Sequence, residues 1–114
     1  MNDNVLLELE KVVLQRKQGG EEGSYTCYLF EKGIDKILKK VGEECTETVI
    51  AAKNVMAGSG SNEDLAGEIA DLIYHIMVMT AQCQMPFSDV LAVLDQRAKV
   101  TNNKKVMKTV DKNS

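Results

Sequence analysis

Two long runs of helically spaced apolar residues, parted by a single short break, constrain this chain more than any other feature. In the first run Ile34, Ile37, Leu38, Val41, Cys45, Thr48 and Ala52 recur at intervals of three and four, which marks one stripe of an α-helix from about Ile34 to Ala57. The break is Gly58-Ser59-Gly60-Ser61-Asn62, in which Ser61 or Asn62 can cap the helix that follows. Glu63 and Asp64 then suit the positive end of a helix that continues to about Gln84, with Leu65, Ile69, Leu72, Ile73, Ile76 and Met79 or Thr80 inward. A five-residue connection leaves the two helices no option but an antiparallel hairpin.

The flanks extend the same pattern. Val5, Leu6, Leu9, Val12 and Val13 predict a first helix from about Asn4 to Arg16, followed by a charged, glycine-rich loop from Lys17 to Gly23. Ser24 to Phe30 reads as a short, irregular stretch. After Pro86, Ser88 can cap a last helix that places Val90, Leu91 and Leu94 inward and ends near Lys99. The expectation is an all-α domain over residues 1–100, a bundle of four helices, with a polar, lysine-rich and loosely ordered tail from Thr101 to Ser114. Aromatic residues make up only 4% of the chain, so the core has to be aliphatic. Ala66, Ala70, Met77 and Ala81 widen the apolar surface of the third helix beyond one stripe. A domain of this size buries only about two-thirds of its unfolded surface, so a second copy is expected to complete the bundle as a homodimer.

Charge narrows the partners. The net charge of −3 lacks the basic excess that a phosphate-backbone binder shows, which argues against nucleic acid. No apolar run approaches the eighteen residues of a membrane span, and the start of the chain has no signal-peptide pattern, so a soluble, cytoplasmic protein is expected. Cys27, Cys45 and Cys83 are odd in number and lack a C-x-x-C spacing, so neither a disulfide framework nor a zinc site is indicated. Two of them fall within helical apolar patterns, where they read as small buried hydrophobes.

Against this background two acidic pairs stand out. Glu44 and Glu47 lie one turn apart on a flank of the second helix's stripe, and Glu68 and Asp71 repeat that spacing on the third. Glu44 sits between Val41 and Thr48, at the margin of the buried face, where a carboxylate is costly unless it is paired or metal-bound. In an antiparallel hairpin the two pairs lie at similar height. Four converging carboxylates repel one another unless a cation intervenes, and an oxygen-only donor set suits Mg²⁺, or Mn²⁺, rather than zinc. Such pairs also occur as solvated, salt-bridged faces. Lys36 and Lys40 share the flank of Glu44 and Glu47 and could hold phosphates, although Lys40 can equally pair with Glu43 or Glu44. His75, the sole histidine, lies one turn beyond Asp71, where it could support a ligand, touch substrate or serve structure alone.

The residues also form a recognisable series. Ser24-Tyr25-Thr26-x-x-Leu29-Phe30-x-x-Gly33, the run from Lys36 through Lys39-Lys40-Val41-Gly42-Glu43-Glu44 to Glu47, then Ile50-Ala51-Ala52-Lys53-Asn54 and Glu68-x-Ala70-Asp71-Leu72-x-Tyr74-His75, resemble the phosphoribosyl-ATP pyrophosphatase family of histidine biosynthesis. That family lies within the wider MazG-like, all-α nucleoside triphosphate pyrophosphohydrolases. The resemblance covers about residues 4–98. It implies Mg²⁺-dependent hydrolysis of an α–β phosphoanhydride in a nucleotide substrate, giving phosphoribosyl-AMP and pyrophosphate, by a dimeric enzyme. It further implies Glu44, Glu47, Glu68 and Asp71 as metal ligands and Glu43 and Glu47 as catalytic residues. Substrate binding falls by the same resemblance to Lys36, Lys40, Lys53, Asn54, Tyr25 and His75. A housekeeping pyrophosphatase for other nucleoside triphosphates would use the same metal site, and a non-catalytic dimerisation module would not need one.

Overall fold

The structure, a computed structural model, describes residues 4–102. Within them the chain forms five helices and no strand: α1 Val5–Lys17, α2 Tyr25–Lys32, α3 Ile34–Met56, α4 Asn62–Gln82 and α5 Phe87–Asn102. The all-α expectation holds, with one helix more than the periodicity indicates. Thr101 and Asn102 continue α5, and the rest of the expected tail lies outside the described residues.

The added helix is the segment read as irregular. Ser24 adopts an extended backbone and its Oγ accepts the N–H of Cys27 at 3.1 Å, which caps the first turn of α2. Gly33 then closes the helix at φ 92°, a conformation that other residues rarely adopt, with its N–H on the carbonyl of Leu29 at 3.0 Å. The Gly33 carbonyl in turn accepts the N–H of Ile37 at 3.2 Å, so one residue both ends α2 and begins α3. Eight residues give too short a period to register as a stripe, but Thr26, Cys27 and Leu29 form a buried face.

The hairpin forms as expected. Ser61 caps α4 through the N–H of Asp64 at 3.0 Å, and α3 and α4 make by far the most extensive pairing in the molecule. Its core, however, is one-sided. Val13 of α1, Leu29 of α2, Ile37 of α3, Met77, Val78 and Ala81 of α4 and Phe87 of α5 converge around the start of α3 and the end of α4. There Lys17 donates to the Ala81 carbonyl at 2.7 Å, and Glu10 accepts the Phe87 N–H at 2.8 Å. Phe87 rather than Ser88 therefore opens α5, its free N–H satisfied by a carboxylate from α1 instead of a local hydroxyl.

Toward the connection the hairpin is uncovered. Val49, Ile50, Met56 and Ile69 are exposed there, as are Ile73 farther along α4 and Leu38 near the start of α3. Cys45 and Cys83 are exposed too, against the expectation of burial, and only Cys27 packs inside. The physical reason is that periodicity marks a face but not the neighbour that covers it. No single helix is long and apolar enough to cross a membrane.

Leu29 is wholly buried and Leu38 is 46% exposed. Truncating Leu29 to Ala should cost about 3 kcal/mol in urea denaturation, whereas Leu38→Ala should cost under about 1 kcal/mol if its surface stays in water. An equal cost at Leu38 would mean that a second chain covers it.

Candidate metal centre and active site

Midway along the hairpin, Glu44 from α3 and Glu68 and Asp71 from α4 each offer a carboxylate oxygen within 4.8 Å of the others. The register that brings them together is held by Thr48, one turn beyond Glu44. Its hydroxyl lies 2.8 Å from the Glu44 carbonyl in its own helix and 3.3 Å from the Glu68 carbonyl across the pair. Glu44 is only 7% exposed, Glu68 is half-buried and Asp71 is open to solvent. One oxygen of Glu44 and one of Glu68 are buried and accept no hydrogen bond.

The electrostatics are those of crowded acids. Burial pushes the Glu44 carboxyl above the usual range, the Glu47 carboxylate pushes it further, and His75 partly offsets both. Glu68 is raised by the same causes, burial first, then Glu47, Asp71 and Glu44. Glu47 itself is exposed and lies outside the tight group of three, yet it faces both Glu44 and Glu68. Two bare, buried carboxylate oxygens with no thiolate nearby are what a hard divalent cation takes as ligands. The residues present fit such an ion. The two buried oxygens set the cluster apart from a fully solvated, salt-bridged face.

Glu43 faces differently. Lys40 donates to it at 3.0 Å, and this bond holds the Glu43 carboxyl below its usual range while raising Lys40. The pairing weighed for Lys40 is therefore formed, with Glu43 as the partner. Lys36 is half-buried on the same helix, and Lys53 is exposed. Asn54 lines a cavity of about 300 Å³ that it shares with Glu47 and Glu68.

Tyr25 and His75 meet across the helices. The His75 Nδ1–H donates to the Asp71 carbonyl at 2.7 Å, and Nε2 shares a hydrogen bond with the Tyr25 hydroxyl at 2.8 Å. With both nitrogens engaged and 6% exposure, His75 supports the turn that carries Asp71 and has no free nitrogen for an ion. Beside it the hydroxyls of Thr26 and Tyr74 bond to each other. Tyr74, Thr26 and Thr48 are site-supporting residues that sequence reasoning missed. Their partners lie 20 or more residues away, and no local signal announces such contacts.

Because Glu44 and Glu68 titrate above their ordinary value in the folded chain, the fold binds protons more tightly than the unfolded chain does. That stability is fully present below the unfolded carboxylate pKa and is lost as pH rises through the raised values. In chelator, melting temperature should therefore fall as pH rises from about 4.5 toward neutrality. Glu44→Gln should melt a few degrees higher than the unsubstituted chain at pH 7, and Mg²⁺ should stabilise only the latter. Thermal melts over pH with EDTA or Mg²⁺ check both outcomes.

With this geometry in place, comparison with known proteins is specific. The sequence profile described as phosphoribosyl-ATP pyrophosphohydrolase matches residues 6–98. A phosphoribosyl-ATP pyrophosphatase of Clostridium novyi is 49% identical over 104 residues, covering 91% of this chain and 90% of the relative. One of the same name from Listeria innocua is 52% identical over 93 residues, covering 82% of this chain and 84% of the relative. The histidine biosynthesis bifunctional protein HisIE of Halalkalibacterium halodurans is also 52% identical over 93 residues, but these span only 42% of that longer protein. A profile match across most of the chain, with relatives at about half identity along nearly their whole length, places the carboxylate hairpin in a known lineage: the chain belongs to the phosphoribosyl-ATP pyrophosphohydrolase family.

Proposed function

We propose that this chain hydrolyses phosphoribosyl-ATP at the α–β phosphoanhydride, releasing phosphoribosyl-AMP and pyrophosphate, with Mg²⁺ held by Glu44, Glu47, Glu68 and Asp71. The observation that carries this reading is the pair of buried, unpartnered oxygens on Glu44 and Glu68, within a chain of this family. A bound Mg²⁺ supplies charge neutralisation and Lewis-acid polarisation at the polyphosphate oxygens. The chain's own groups do the rest. Glu43, kept ionised by Lys40, accepts a hydrogen bond from the attacking water and orients it. Lys40 and Lys36 on the same helix oppose the charge that gathers on the departing pyrophosphate. Tyr25 and His75 keep α2 and the Asp71 turn in place beside them.

The working unit in this reading is a homodimer, supported by the exposed apolar surface of the hairpin, where Val49 is 63% and Met56 85% exposed. Its compartment is the cytoplasm, a reducing environment that suits three free cysteines.

Purified protein should release pyrophosphate from phosphoribosyl-ATP in Mg²⁺, far faster than from dUTP or dCTP, and not at all in chelator. Glu47→Gln should lower turnover about 100-fold or more with its helical circular dichroism unchanged. Activity near that of the unsubstituted chain at saturating Mg²⁺ would remove Glu47 from the ligand set. Turnover of only the simple triphosphates would move the chain to the housekeeping branch. Sedimentation equilibrium should give about twice the 12.6 kDa chain mass.

A further inference from the structure

At the core end of the molecule, α1 meets the corner between α4 and α5 across a second cavity, of about 360 Å³. Glu10, Leu14 and Lys17 of α1 line one side, and Gln84, Met85 and Pro86 of the corner line the other. Ala81, at its inner end, lies ten residues beyond Asp71 on α4, about 15 Å along the axis. The space is therefore separate from the carboxylate centre.

Its two charged groups are held alike. Lys17 donates to the Ala81 carbonyl at 2.7 Å, and Glu10 accepts the Phe87 N–H at 2.8 Å. Both side chains are half-buried, and each is fixed by a neutral backbone group. The ion pairs among the described residues are Arg16–Glu21, Lys40–Glu43 and Lys99–Asp95, so neither Lys17 nor Glu10 has a partner of opposite charge there. The backbone bonds leave two N–H donors on the Lys17 ammonium and one oxygen on the Glu10 carboxylate. Seven residues apart, the two stand on one face of α1, their Cα atoms about 10.5 Å apart along the axis. Side chains on a helix lean toward its N-terminus, so the longer Lys17 narrows that gap. It is too wide for the two to pair and suits a small molecule that carries both charges itself.

The ground between the charges is apolar. Leu14, on the same face, is 43% exposed, and Met85 and Pro86 lie opposite. Gln84 stands beside them at φ 61°, in the left-handed region where a helix end usually places glycine. The Met85 N–H still closes the helix on the Thr80 carbonyl at 2.9 Å, so the corner keeps a polar side chain at the cavity where glycine would be relaxed. The volume lies at the lower end of the range for small-molecule sites.

We propose that this cavity binds a free amino acid as its zwitterion, with the carboxylate on Lys17, the ammonium on Glu10, and the side chain against Leu14, Met85 and Pro86. The ligand neutralises both charges at once and covers the apolar ground between them. Its binding draws α1 onto the α4–α5 corner and needs no metal.

Calorimetric titration of the full chain with L-leucine, L-methionine and L-histidine, in Mg²⁺ and again in EDTA, tests this. At least one should bind at millimolar concentration, equally in both buffers. Its decarboxylated amine and its deaminated acid should each bind at least about fivefold more weakly. Glu10→Gln keeps an oxygen for the Phe87 N–H, so it should weaken binding about tenfold while the unliganded melting temperature holds. Gln84→Gly should raise the melting temperature by a few degrees and weaken binding, opposite signs that a merely structural corner would not give. The proposal is overturned if none of the three binds, if a one-charge analogue binds as well as its parent, or if binding requires Mg²⁺. It is equally overturned if Glu10→Gln and Gln84→Gly both leave affinity unchanged.

Discussion

Holding Glu44, Glu68 and Asp71 within 4.8 Å of one another is unfavourable on its own account, and much of this structure is organised around tolerating it. Three acids at that spacing repel, and two of their oxygens are denied water. The force that opposes them is the packing of α3 on α4, fixed in register by the Ser61-capped turn at one end and the aliphatic core at the other. Thr48 ties the pair together one turn from Glu44. Burial and crowding therefore raise the Glu44 and Glu68 carboxyls in the chain alone, and a cation placed there would favour their ionised forms.

The small helix α2 gives the hairpin a second support. It is pinned at both ends, by the Ser24 cap and by the left-handed Gly33, and its buried face joins the core through Leu29. From that base it sends Tyr25 to His75 and Thr26 to Tyr74. His75 passes the contact on to the Asp71 carbonyl. A helix too short to be stable alone is thus made rigid by tertiary contacts and in turn steadies the acidic turn of α4.

The two ends of the hairpin differ in what they bury and what charge they carry. The core end is covered by α1, α2 and α5, and near it Lys40 stands beside Glu43. The connection end has exposed Val49, Ile50 and Met56 and a cavity lined by carboxylates and Asn54. Contiguous aliphatic surface of this kind is uncommon on monomeric proteins. In the proposed homodimer, that exposed face is the surface a second copy would cover.

The hairpin and its acidic pairs are legible from spacing because both are local consequences of helix geometry: a stripe every three or four residues, a Gly-Ser break, carboxylates one turn apart. The same logic places the Ser61 cap. It does not reach α2, whose eight residues are shorter than a readable period and whose helicity depends on Ser24, Gly33 and burial. Nor does it reach Cys45, which shares the stripe's phase yet is exposed because no element among the described residues covers it. Residue types and intervals alone thus decided the all-helical hairpin and the chemistry its oxygens favour. Which carboxylates close into the tight group, that Lys40 chooses Glu43, and that His75 is spent on Tyr25 and Asp71 were left to tertiary structure. The reason is that each depends on distances between residues on different helices or on competing rotamers, and a helical period carries information about neither.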